Sequence, residues 1–337
     1  MKSKNPVSMR LTKPVLNLLV YGLSMTSLLS ACAPKVKDGY DEKTGYSGNI
    51  SMSGAFALYP LAVLWGEDFK KLHPNVRFNV SAGGAGKGIT DVLTNMVDIG
   101  LVSRDLHPAE LEKGALPIHV AKDAVLGTLN SNHPNIDLIK KRGFTREELI
   151  NLFVKQKYKL WKDIDPRFVA EPIESYVRSD AAGAAETWAK FLGERQEGLK
   201  GIGIFGDPGL AQVIKGKPLA VGFNNINYVF DLKTKKPTAN ITVLPIDQNG
   251  NGRIDANENF YDNLDSLTQA IALGHYPSPP VRDLTFVIRK DKQTKLLKAF
   301  IEFALDKAQQ SHLLENGYVP LTEELIHVEL NKLTRER

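Results

Sequence analysis

The chain has 337 residues, of which 42% are hydrophobic and 24% are charged. This composition is typical of soluble globular proteins, and the length suffices for about two domains. The formal net charge is +5, but four basic residues and no acidic residue precede Cys32. The rest of the chain therefore carries a net charge of about +1. A charge this small excludes purely electrostatic binding to nucleic acid or to an anionic membrane surface.

The first 31 residues are predicted to be a lipoprotein signal peptide. They combine a basic start with an apolar stretch over residues 15–29, and small residues follow. Leu29-Ser30-Ala31-Cys32 resembles a bacterial lipobox, in which the peptidase cuts before the cysteine and the thiol carries the lipid. Cys32 is the only cysteine, so no disulfide forms within the chain. The polar residues 32–48 are predicted to be a flexible stalk. The alternative is an apolar signal with a chance cysteine.

The first third of the chain alternates between strand and helix patterns. A short strand is predicted at residues 49–53, and an apolar stripe after Pro60 predicts a helix that ends before His73. Residues 76–81 alternate as a strand does, and residues 98–102 predict another strand. This order of strand, helix and strand predicts right-handed βαβ units and therefore an α/β fold.

A glycine-rich turn connects the strand at residues 76–81 to the next helix. Gly83, Gly84, Gly86 and Gly88 free the backbone to bring its N–H groups close to a ligand. Apolar residues at helical spacing follow directly, namely Ile89, Val92, Leu93 and Met96. The start of a helix presents unpaired N–H groups and a positive dipole end, so this turn is a candidate anion site. The alternative is a tight turn that binds no ligand.

The middle of the chain repeats this arrangement. A strand at residues 124–129 is predicted to carry the chain into a second lobe, and a capping box at residues 145–148 opens a helix. A strand at residues 172–177 leads through a turn of polar and small residues into a helix packed by Trp188. Further strands are predicted at residues 222–232, 240–246 and 284–289, and a further helix at residues 296–314.

Residues 247–258 match the twelve-residue calcium loop at every ligand position. Gly252 provides the sharp turn and Ile254 the apolar anchor. The predicted ligands are Asp247, Asn249, Asn251, the backbone carbonyl of Arg253, Asp255 and Glu258. A strand precedes the loop, so we expect a structural Ca²⁺ site near a lobe junction rather than a helix-loop-helix pair. The alternative is an Asn/Gly turn that binds no metal.

The ordered set of three loop-to-helix turns resembles the phosphate-binding component of the bacterial phosphate ABC transporter. The resemblance covers most of the chain after Cys32. It is carried by Gly54, Ala55, Pro60, Trp65, Gly88, Asn95, residues 97–98, Gly100, Arg178, Asp180, Gly183, and residues 277–291 and 317–321. This family belongs to the periplasmic substrate-binding proteins. The resemblance therefore implies an α/β, two-lobed periplasmic-binding-protein fold, in which each lobe is a mixed β-sheet flanked by helices and the ligand cleft lies between them.

In this family, backbone N–H groups, hydroxyls, one arginine and one carboxylate hold phosphate between the lobes. Carried over residue by residue, the resemblance implies ligand-binding positions at Ala55, Phe56, Ala57, Ala85, Gly86, Lys87, Ser103, Arg104, Arg178, Asp180, Ala182, Gly183 and Ala184. Arg178, Asp180 and the glycines are retained. The family's hydroxyl-bearing positions, however, fall on Phe56, Ala85, Ala182 and Ala184.

The acidic residue of the family's second turn falls near Ser103, with Asp105 two positions later. Each hydrogen bond to a charged group contributes about 1.5–3 kcal/mol, so loss of two weakens binding on the order of a hundredfold or more. Ser103, Arg104 and Lys87 are candidates to compensate. A surface salt bridge is the alternative for Arg104, and a solvated side chain is the alternative for Lys87.

The predicted function is that of a lipid-anchored, extracytoplasmic solute-binding protein, in the periplasm or at the cell surface. As a monomer it would capture an oxyanion, with inorganic phosphate first, for an ABC permease. The predicted domains after the stalk are lobe I at residues 49–124 and 263–337, lobe II at 125–245, and a calcium-loop insert at 246–262. The chain is not expected to be an enzyme, since no nucleophile with an adjacent base is visible. A receptor or scaffold with a degenerate anion site is the alternative that the alanines favour.

Overall fold

In the computed structural model, which describes residues 39–334, strands and helices alternate along the chain. The predicted signal peptide, Cys32 and residues 32–38 of the predicted stalk lie outside the described residues. The strands are β1 (Gly39–Asp41), β2 (Gly45–Gly54), β3 (Asn75–Ala82), β4 (Ile99–Val102), β5 (Ala115–Leu129), β6 (Glu174–Arg178), β7 (Ile202–Ile204), β8 (Ala220–Asn225), β9 (Thr242–Val243) and β10 (Val281–Arg289).

The helices lie between and after these strands in the chain. They are α1 (Tyr59–Leu72), α2 (Ala85–Leu93), α3 (Pro108–Glu112), α4 (Ile136–Arg142), α5 (Arg146–Phe153), α6 (Gly183–Leu192), α7 (Gly206–Gly216), α8 (Leu264–Ala272), α9 (Lys295–Leu305), α10 (Lys307–Ser311) and α11 (Glu323–Thr334). None of the helices within residues 39–334 has the length and apolar character that a membrane span requires.

The first hydrophobic core is built around β2, β3, β4, β10 and the first part of β5. Strand β2 pairs in parallel with β3 and β4, whereas β10 lies antiparallel between β4 and β5. Aromatic rings from helices and strands fill this core. The ring centre of Trp65 in α1 lies 5.7 Å from that of Phe286 in β10, and the ring centre of Phe69 in α1 lies 5.5 Å from that of Phe300 in α9. The predicted succession of strand, helix and strand is confirmed. In the apolar stripe of α1, Leu61, Trp65 and Phe69 are buried, whereas Leu64 and Leu72 are exposed.

Residues 39–48, which the sequence predicted to belong to a flexible stalk, are part of the fold. Residues 39–48 form β1 and the start of β2, which pair antiparallel with Tyr40 opposite Tyr46. The ring of Tyr46 also packs edge-on against His73 at 5.1 Å. Backbone pairing and this aromatic contact together hold a segment whose polar composition suggested a flexible tether.

The second hydrophobic core surrounds the remainder of β5. Strand β8 pairs antiparallel with β5 and in parallel with β6, which in turn pairs in parallel with β7. Trp188 of α6 stacks on Phe223 of β8 at 5.7 Å. Each core is thus a mixed sheet flanked by helices, as the sequence predicted.

The second lobe extends further along the chain than predicted. Leu264 and Leu267 of α8 are completely buried in the second core, although residues 263–337 were expected in lobe I. The hydroxyl of Tyr276 donates a hydrogen bond to the carbonyl of Val125 at 3.0 Å. The chain returns to the first core only in β10, because the apolar face of α8 is complementary to the second core.

The two cores share the long strands β5 and β10, which pair antiparallel from Val281 opposite Ala124 to Arg289 opposite Ala115. Ala121 belongs to the first core and Ala124 to the second, so the chain changes lobes within β5. At this crossing Arg282 forms a buried bidentate ion pair with Asp123, with nitrogen–oxygen distances of 2.8 and 3.1 Å. The crossing therefore positions the loops of both lobes against each other.

Three predicted elements are shorter or divided in the structure. The strand predicted at residues 222–232 ends at Asn225, where a 3₁₀ turn begins, and the strand predicted at 240–246 is only two residues long. The helix predicted at residues 296–314 is interrupted at Asp306. The Asp306 carboxylate accepts a hydrogen bond from the N–H of Ala308 at 2.8 Å, so it caps a new helix instead of continuing the old one.

Candidate functional site

The three predicted turns converge between the two lobes. The carbonyl of Gly54 accepts hydrogen bonds from the N–H groups of Gly83 and Gly84 at 2.8 and 3.0 Å, which joins the first two turns. The N–H of Gly86 donates to the carbonyl of Ala181 at 3.2 Å, which joins the second turn to the third. The glycine-rich segment therefore lies at the centre of the predicted site.

Close backbone approach explains two of the glycines. A Cβ atom on Gly54, whose φ is +138°, would lie 2.2 Å from the carbonyl oxygen of Leu101. A Cβ atom on Gly183 would lie 2.3 Å from Ser103 Oγ and 2.5 Å from the Ser103 carbonyl oxygen. Because real Cβ atoms do not approach other atoms so closely, only glycine permits these contacts. The second of them places the start of α6 directly against the first lobe.

The starts of α2 and α6 present backbone donors that lack a protein partner. Ala85 and Ala184 are only 1% and 2% exposed. Within residues 39–334, no group accepts a hydrogen bond from the N–H of either residue. Buried N–H groups are almost always paired, so donors left free at two facing helix starts are suited to a bound anion. The side chains at these positions contribute no hydroxyl.

Arg178 is the cation at the centre of the site. Its guanidinium donates from Nε and Nη2 to the two oxygens of Asp180, at 2.8 and 2.5 Å, and from Nη1 to Asp207. The N–H of Gly206 also donates to Asp180 at 3.1 Å. The Arg178 side chain is 1% exposed, so this cluster is fully desolvated. Two carboxylates therefore already occupy the only arginine that the family pattern retains.

The pKa values in this cluster move in different directions. Burial raises the pKa of Asp180, but hydrogen bonds and charge from Arg178 outweigh burial and leave it lowered. Complete burial dominates at Asp207 and raises the pKa of that carboxyl despite the adjacent guanidinium. Burial opposes the charge of Arg178 as well, yet the two carboxylates raise its pKa, so the guanidinium stays charged.

Phe56 stands in front of this arginine. The guanidinium carbon of Arg178 lies 5.4 Å from the centre of the Phe56 ring, within cation–π range. The ring also meets Phe205 edge-on at 6.2 Å, and a Cβ atom on Gly206 would lie 3.0 Å from its tip. The hydroxyl of Tyr228 donates to the Phe56 carbonyl at 3.3 Å. An aromatic ring thus covers the cation on the side where a hydroxyl was expected from the family pattern.

Arg104 and Lys87 do not present free charges to the cleft. Arg104 forms a bidentate ion pair with Glu110, at 2.9 and 2.7 Å, and its Nε lies 3.2 Å from Glu186. The alternative predicted from the sequence was a surface salt bridge, but the ion pair found here is largely buried, since the Arg104 side chain is 9% exposed. Lys87 donates to Asp91, and the hydroxyl of Ser53 donates to the same carboxylate at 2.6 Å. Neither cation is available to replace a lost hydroxyl without first leaving its partner.

The predicted ligand-binding residues form one assembly, apart from these two cations. Those at the meeting loops are Ala55, Phe56, Ala57, Ala85, Gly86, Ser103, Arg178, Asp180, Ala182, Gly183 and Ala184. Asp105 points away, because its carboxylate is exposed and pairs with Lys190 at 2.8 Å. The predicted calcium ligands lie elsewhere, in the loop between β9 and α8.

Sequence reasoning missed Asp207, Asp91 and Tyr228. Asp207 lies in the first turn of α7, which begins after a single residue beyond β7, and no helix was predicted there from the sequence. Asp91 lies one helical turn after Lys87, a spacing that allows an i,i+4 ion pair and was available as a signal. Nothing local in the sequence indicates Tyr228, because it reaches Phe56 across 172 residues.

Two mixed α/β cores that share two strands, with two helix starts and a buried arginine between them, define a two-lobed periplasmic-binding-protein fold. A family model described as a PBP superfamily domain matches residues 41–308. The chain belongs to this superfamily. The fold class and the family resemblance predicted from the sequence are thereby confirmed.

Curated relatives match along nearly the whole chain. A phosphate-binding protein PstS from Bacillus subtilis (strain 168) is 26% identical over 325 residues, covering 94% of this chain and 96% of the relative. One from Pseudomonas aeruginosa (strain PAO1) is 25% identical over 345 residues, covering 94% and 97%. These relatives are named as binding proteins and not as enzymes, which agrees with the expectation for this chain.

Solved structures support the fold. A phosphate ABC transporter substrate-binding protein from Clostridium perfringens, solved with bound phosphate, aligns with a TM-score of 0.67 at 19% identity. The alignment covers 82% of this chain and all of that one. An ABC-type phosphate transport receptor from Vibrio cholerae aligns with a TM-score of 0.58 at 18% identity, covering 81% of this chain and 100% of that one.

Proposed function

We propose that the chain is an extracytoplasmic solute-binding protein that captures an oxyanion, with inorganic phosphate first, for an ABC importer. The observation that carries the proposal is the pair of buried N–H donors at Ala85 and Ala184, which have no protein acceptor and lie at the starts of α2 and α6, where the Gly86–Ala181 hydrogen bond joins the two turns. Names of the relatives from Bacillus subtilis and Pseudomonas aeruginosa, both phosphate-binding proteins, support phosphate as the first ligand to test.

Binding in this site relies on backbone donors and one arginine. Helix starts offer N–H groups and a positive dipole end to an anion, which offsets in part the absence of hydroxyls at Phe56, Ala85, Ala182 and Ala184. Arg178 can bind an anion only if its guanidinium leaves Asp180 or Asp207, or bonds to the anion and to these carboxylates at the same time. An anion between the lobes therefore competes with two carboxylates for one guanidinium. We expect weaker binding than a site with four additional hydroxyls would give.

Closure of the lobes around the anion follows from the shared contacts. Gly86 of the first lobe bonds to Ala181 of the second, and Gly183 packs on Ser103. An anion that touches both helix starts has a higher affinity for the closed form, and this difference in affinity drives closure. Closure also excludes water, which strengthens each hydrogen bond inside the cleft.

The proposed location is the periplasm or the cell surface, with a lipid on Cys32 that anchors the protein to a membrane. The basic start, the apolar stretch and Leu29-Ser30-Ala31-Cys32 support this part of the proposal. Tethering by acyl chains would keep the protein beside the permease that it supplies. Metabolic labelling with a radioactive fatty acid tests it: the wild-type protein should be labelled and a Cys32→Ser variant should not.

A second function is favoured by Phe56. Its ring covers Arg178, and every cation of the predicted site is already paired with a carboxylate. A site filled in this way suits a receptor or scaffold that keeps the fold without transporting an anion. The two functions differ in whether any oxyanion binds.

Isothermal titration of the purified protein separates them. Phosphate should bind with a stoichiometry of one, and sulfate serves as the competing oxyanion. An Arg178→Ala variant should weaken phosphate binding by about 2 kcal/mol or more, because a buried charged donor is lost. The absence of heat with every oxyanion tested would overturn the capture proposal and leave the receptor.

A further inference from the structure

Outside the cleft, residues 247–258 form a loop that the proposed function does not use. Twelve consecutive residues carry oxygen donors at each ligand position of a calcium loop, with glycine at the sixth and isoleucine at the eighth. The loop joins β9 to α8 on the second core. It therefore lies on the same core as α6, but not in the anion site.

The first and last acids of the loop are buried without a cationic partner. Asp247 and Glu258 are each 3% exposed. Asp247 accepts hydrogen bonds from the N–H groups of Gly250 and Gly252, both at 2.8 Å. In the described part of the chain, no lysine, arginine or histidine forms an ion pair with either acid. Glu258 likewise accepts hydrogen bonds from the N–H groups of Gln248 and Asp255, at 3.0 and 3.1 Å. These bonds do not neutralise the two buried charges, whereas a bound metal ion would.

The remaining side-chain ligands already converge on one another. The amides of Asn249 and Asn251 donate to the same oxygen of Asp255, at 3.0 and 2.8 Å. The guanidinium of Arg253 donates to the other Asp255 oxygen at 2.7 Å. These contacts hold the third, fifth and ninth ligand positions together. A cation bound among them would take the place of the amide hydrogens and of the exposed guanidinium.

The loop changes little to accept an ion, but it does change. Within residues 39–334, no three acidic or histidine side chains stand close enough to form a metal site by themselves. The calcium loop needs only three carboxylates, and the other donors are amide and backbone oxygens. Rotation of Asn249 and Asn251 about their last bond turns oxygen instead of nitrogen towards Asp255, and it breaks the hydrogen bonds that these oxygens accept from the N–H groups of Asn251 and Arg253, both at 3.0 Å. Release of Arg253, whose side chain is 73% exposed, then frees the carboxylate.

The loop is bonded to the second core at its first and eighth residues, Asp247 and Ile254. The N–H of Ile254 donates to the carbonyl of Lys141 at 2.7 Å, and the N–H of Asp247 donates to the carbonyl of Phe144 at 3.0 Å. The Ile254 side chain packs on Gly143, where a Cβ atom would lie 2.4 Å from its Cδ1. An ion in the loop would therefore stabilise the junction between α4 and α5.

We propose that residues 247–258 bind one calcium ion that stabilises the second core. A donor set made only of oxygen selects a hard cation, and flexible geometry with a bidentate acid favours calcium over magnesium. Two of the ligand side chains are neutral amides. The affinity expected for such a loop lies in the range of extracellular modules, with a Kd of about 10⁻⁴–10⁻³ M.

Calcium titration in phosphate-free buffer tests this inference separately from the anion site. After removal of bound ions with a chelator, calcium chloride should bind at one ion per chain. At a concentration about ten times the Kd, calcium should raise the Tm of the purified protein by a few degrees, because only the folded state binds the ion. Magnesium chloride at the same concentration should have a smaller effect.

Two loop variants and one control decide the location. Glu258→Gln removes the bidentate ligand, and Asp255→Asn changes a ligand on the exposed side that is compatible with folding. Both should weaken calcium binding tenfold or more. Asp262→Asn makes the same change of charge just outside the loop, at an exposed side chain paired with Lys140, and should leave calcium binding unchanged.

The results of these measurements decide whether the protein binds calcium and whether this loop is the site. Absence of both heat and a Tm shift in the wild-type protein at 10 times the upper Kd estimate, on the order of 10 mM, overturns the calcium site. Equal loss of binding in Asp262→Asn and in Asp255→Asn overturns its location in this loop. If Glu258→Gln does not fold, Asp255→Asn alone decides between the two.

Discussion

The guanidinium of Arg178 lies 5.4 Å from the ring centre of Phe56, while its nitrogens are bonded to Asp180 and Asp207. Cation and ring belong to different lobes, so their contact spans the cleft. The guanidinium nitrogens, through which an anion would bind, are at the same time bonded to the two carboxylates. Access of an oxyanion to Arg178 therefore depends on Phe56 as well as on the two carboxylates.

Replacement of Phe56 by threonine should strengthen phosphate binding. The variant uncovers Arg178 and supplies a hydroxyl donor, and a hydrogen bond to a charged group contributes about 1.5–3 kcal/mol. We expect the Kd for phosphate to fall by roughly tenfold to a hundredfold in isothermal titration. Met96→Thr, an exposed apolar residue outside the cleft, is the matched control and should not change the Kd. Unchanged binding in Phe56→Thr would show that the ring does not limit access.

Loss of Arg178 should destabilise the fold as well as weaken anion binding. Arg178→Met leaves Asp180 and Asp207 buried without their cation, and breaking a buried ion pair costs about 3–5 kcal/mol. Urea unfolding should show this decrease in the free energy of unfolding. Arg178→Met combined with Asp207→Asn should recover part of it, because one uncompensated charge is removed. Arg195→Met, at an exposed position, is the control. A double variant no more stable than the single one contradicts this account.

Gly183→Ala should prevent the lobes from meeting. The added Cβ would lie 2.3 Å from Ser103 Oγ, so the start of α6 must move away from the first lobe. We expect weaker phosphate binding, by about tenfold or more, and a larger radius of gyration in X-ray scattering with phosphate present. Gly216→Ala, where nothing lies within 4 Å of an added Cβ, should change neither quantity. Equal scattering curves for the two variants would mean that this contact is not needed for closure.

His133 should make the protein less stable in acid. Burial lowers the pKa of its imidazole from 6.5 to about 4, since the ring is 2% exposed and lies 4.3 Å from Trp161. The unfolded chain takes up a proton below pH 6.5, whereas the folded chain does so only near pH 4. Stability therefore falls as the pH falls through this window, by about 3 kcal/mol in total.

The measurement is urea unfolding at pH 7.5, 6.0 and 4.5. The pH dependence should be flatter in His133→Gln than in the wild-type protein, because the group that titrates is gone. His327→Gln, at an exposed position, should keep the wild-type dependence. Parallel profiles for the wild-type protein and His133→Gln would assign the acid sensitivity to other groups.

Local patterns predicted the elements, whereas contacts between distant residues decided the site. The stripe of α1 and the glycine-rich turn were predictable, because helical spacing and glycine each act within a few residues. A salt bridge of Arg104 was foreseen only as an alternative, because the sequence does not show which acids approach its guanidinium; in the structure they are Glu110 and Glu186. The contact of Tyr228 with Phe56 could not be foreseen, because it follows from how the two lobes meet.

The predicted domain boundaries were wrong at residues 39–48 and at α8 for a related reason. The amphipathic pattern of α8 predicts a buried face but does not say which core buries it. Residues 39–48 have the composition of a tether, yet backbone pairing between Tyr40 and Tyr46 does not depend on composition. In both cases the sequence specifies a local structure, but residues far away in the chain determine what that structure packs against or pairs with.

Ala124 and Val281 are register partners at the crossing of β5 and β10, and the second core occupies the chain between them. Its entry and exit points are thus neighbours in space, separated by one antiparallel pair. Because its ends are adjacent, this segment can be replaced by the corresponding segment of a homologous protein without a change in the path of the remaining chain. The first core would retain its strand order under such a graft, and the calcium loop would travel with the transplanted half.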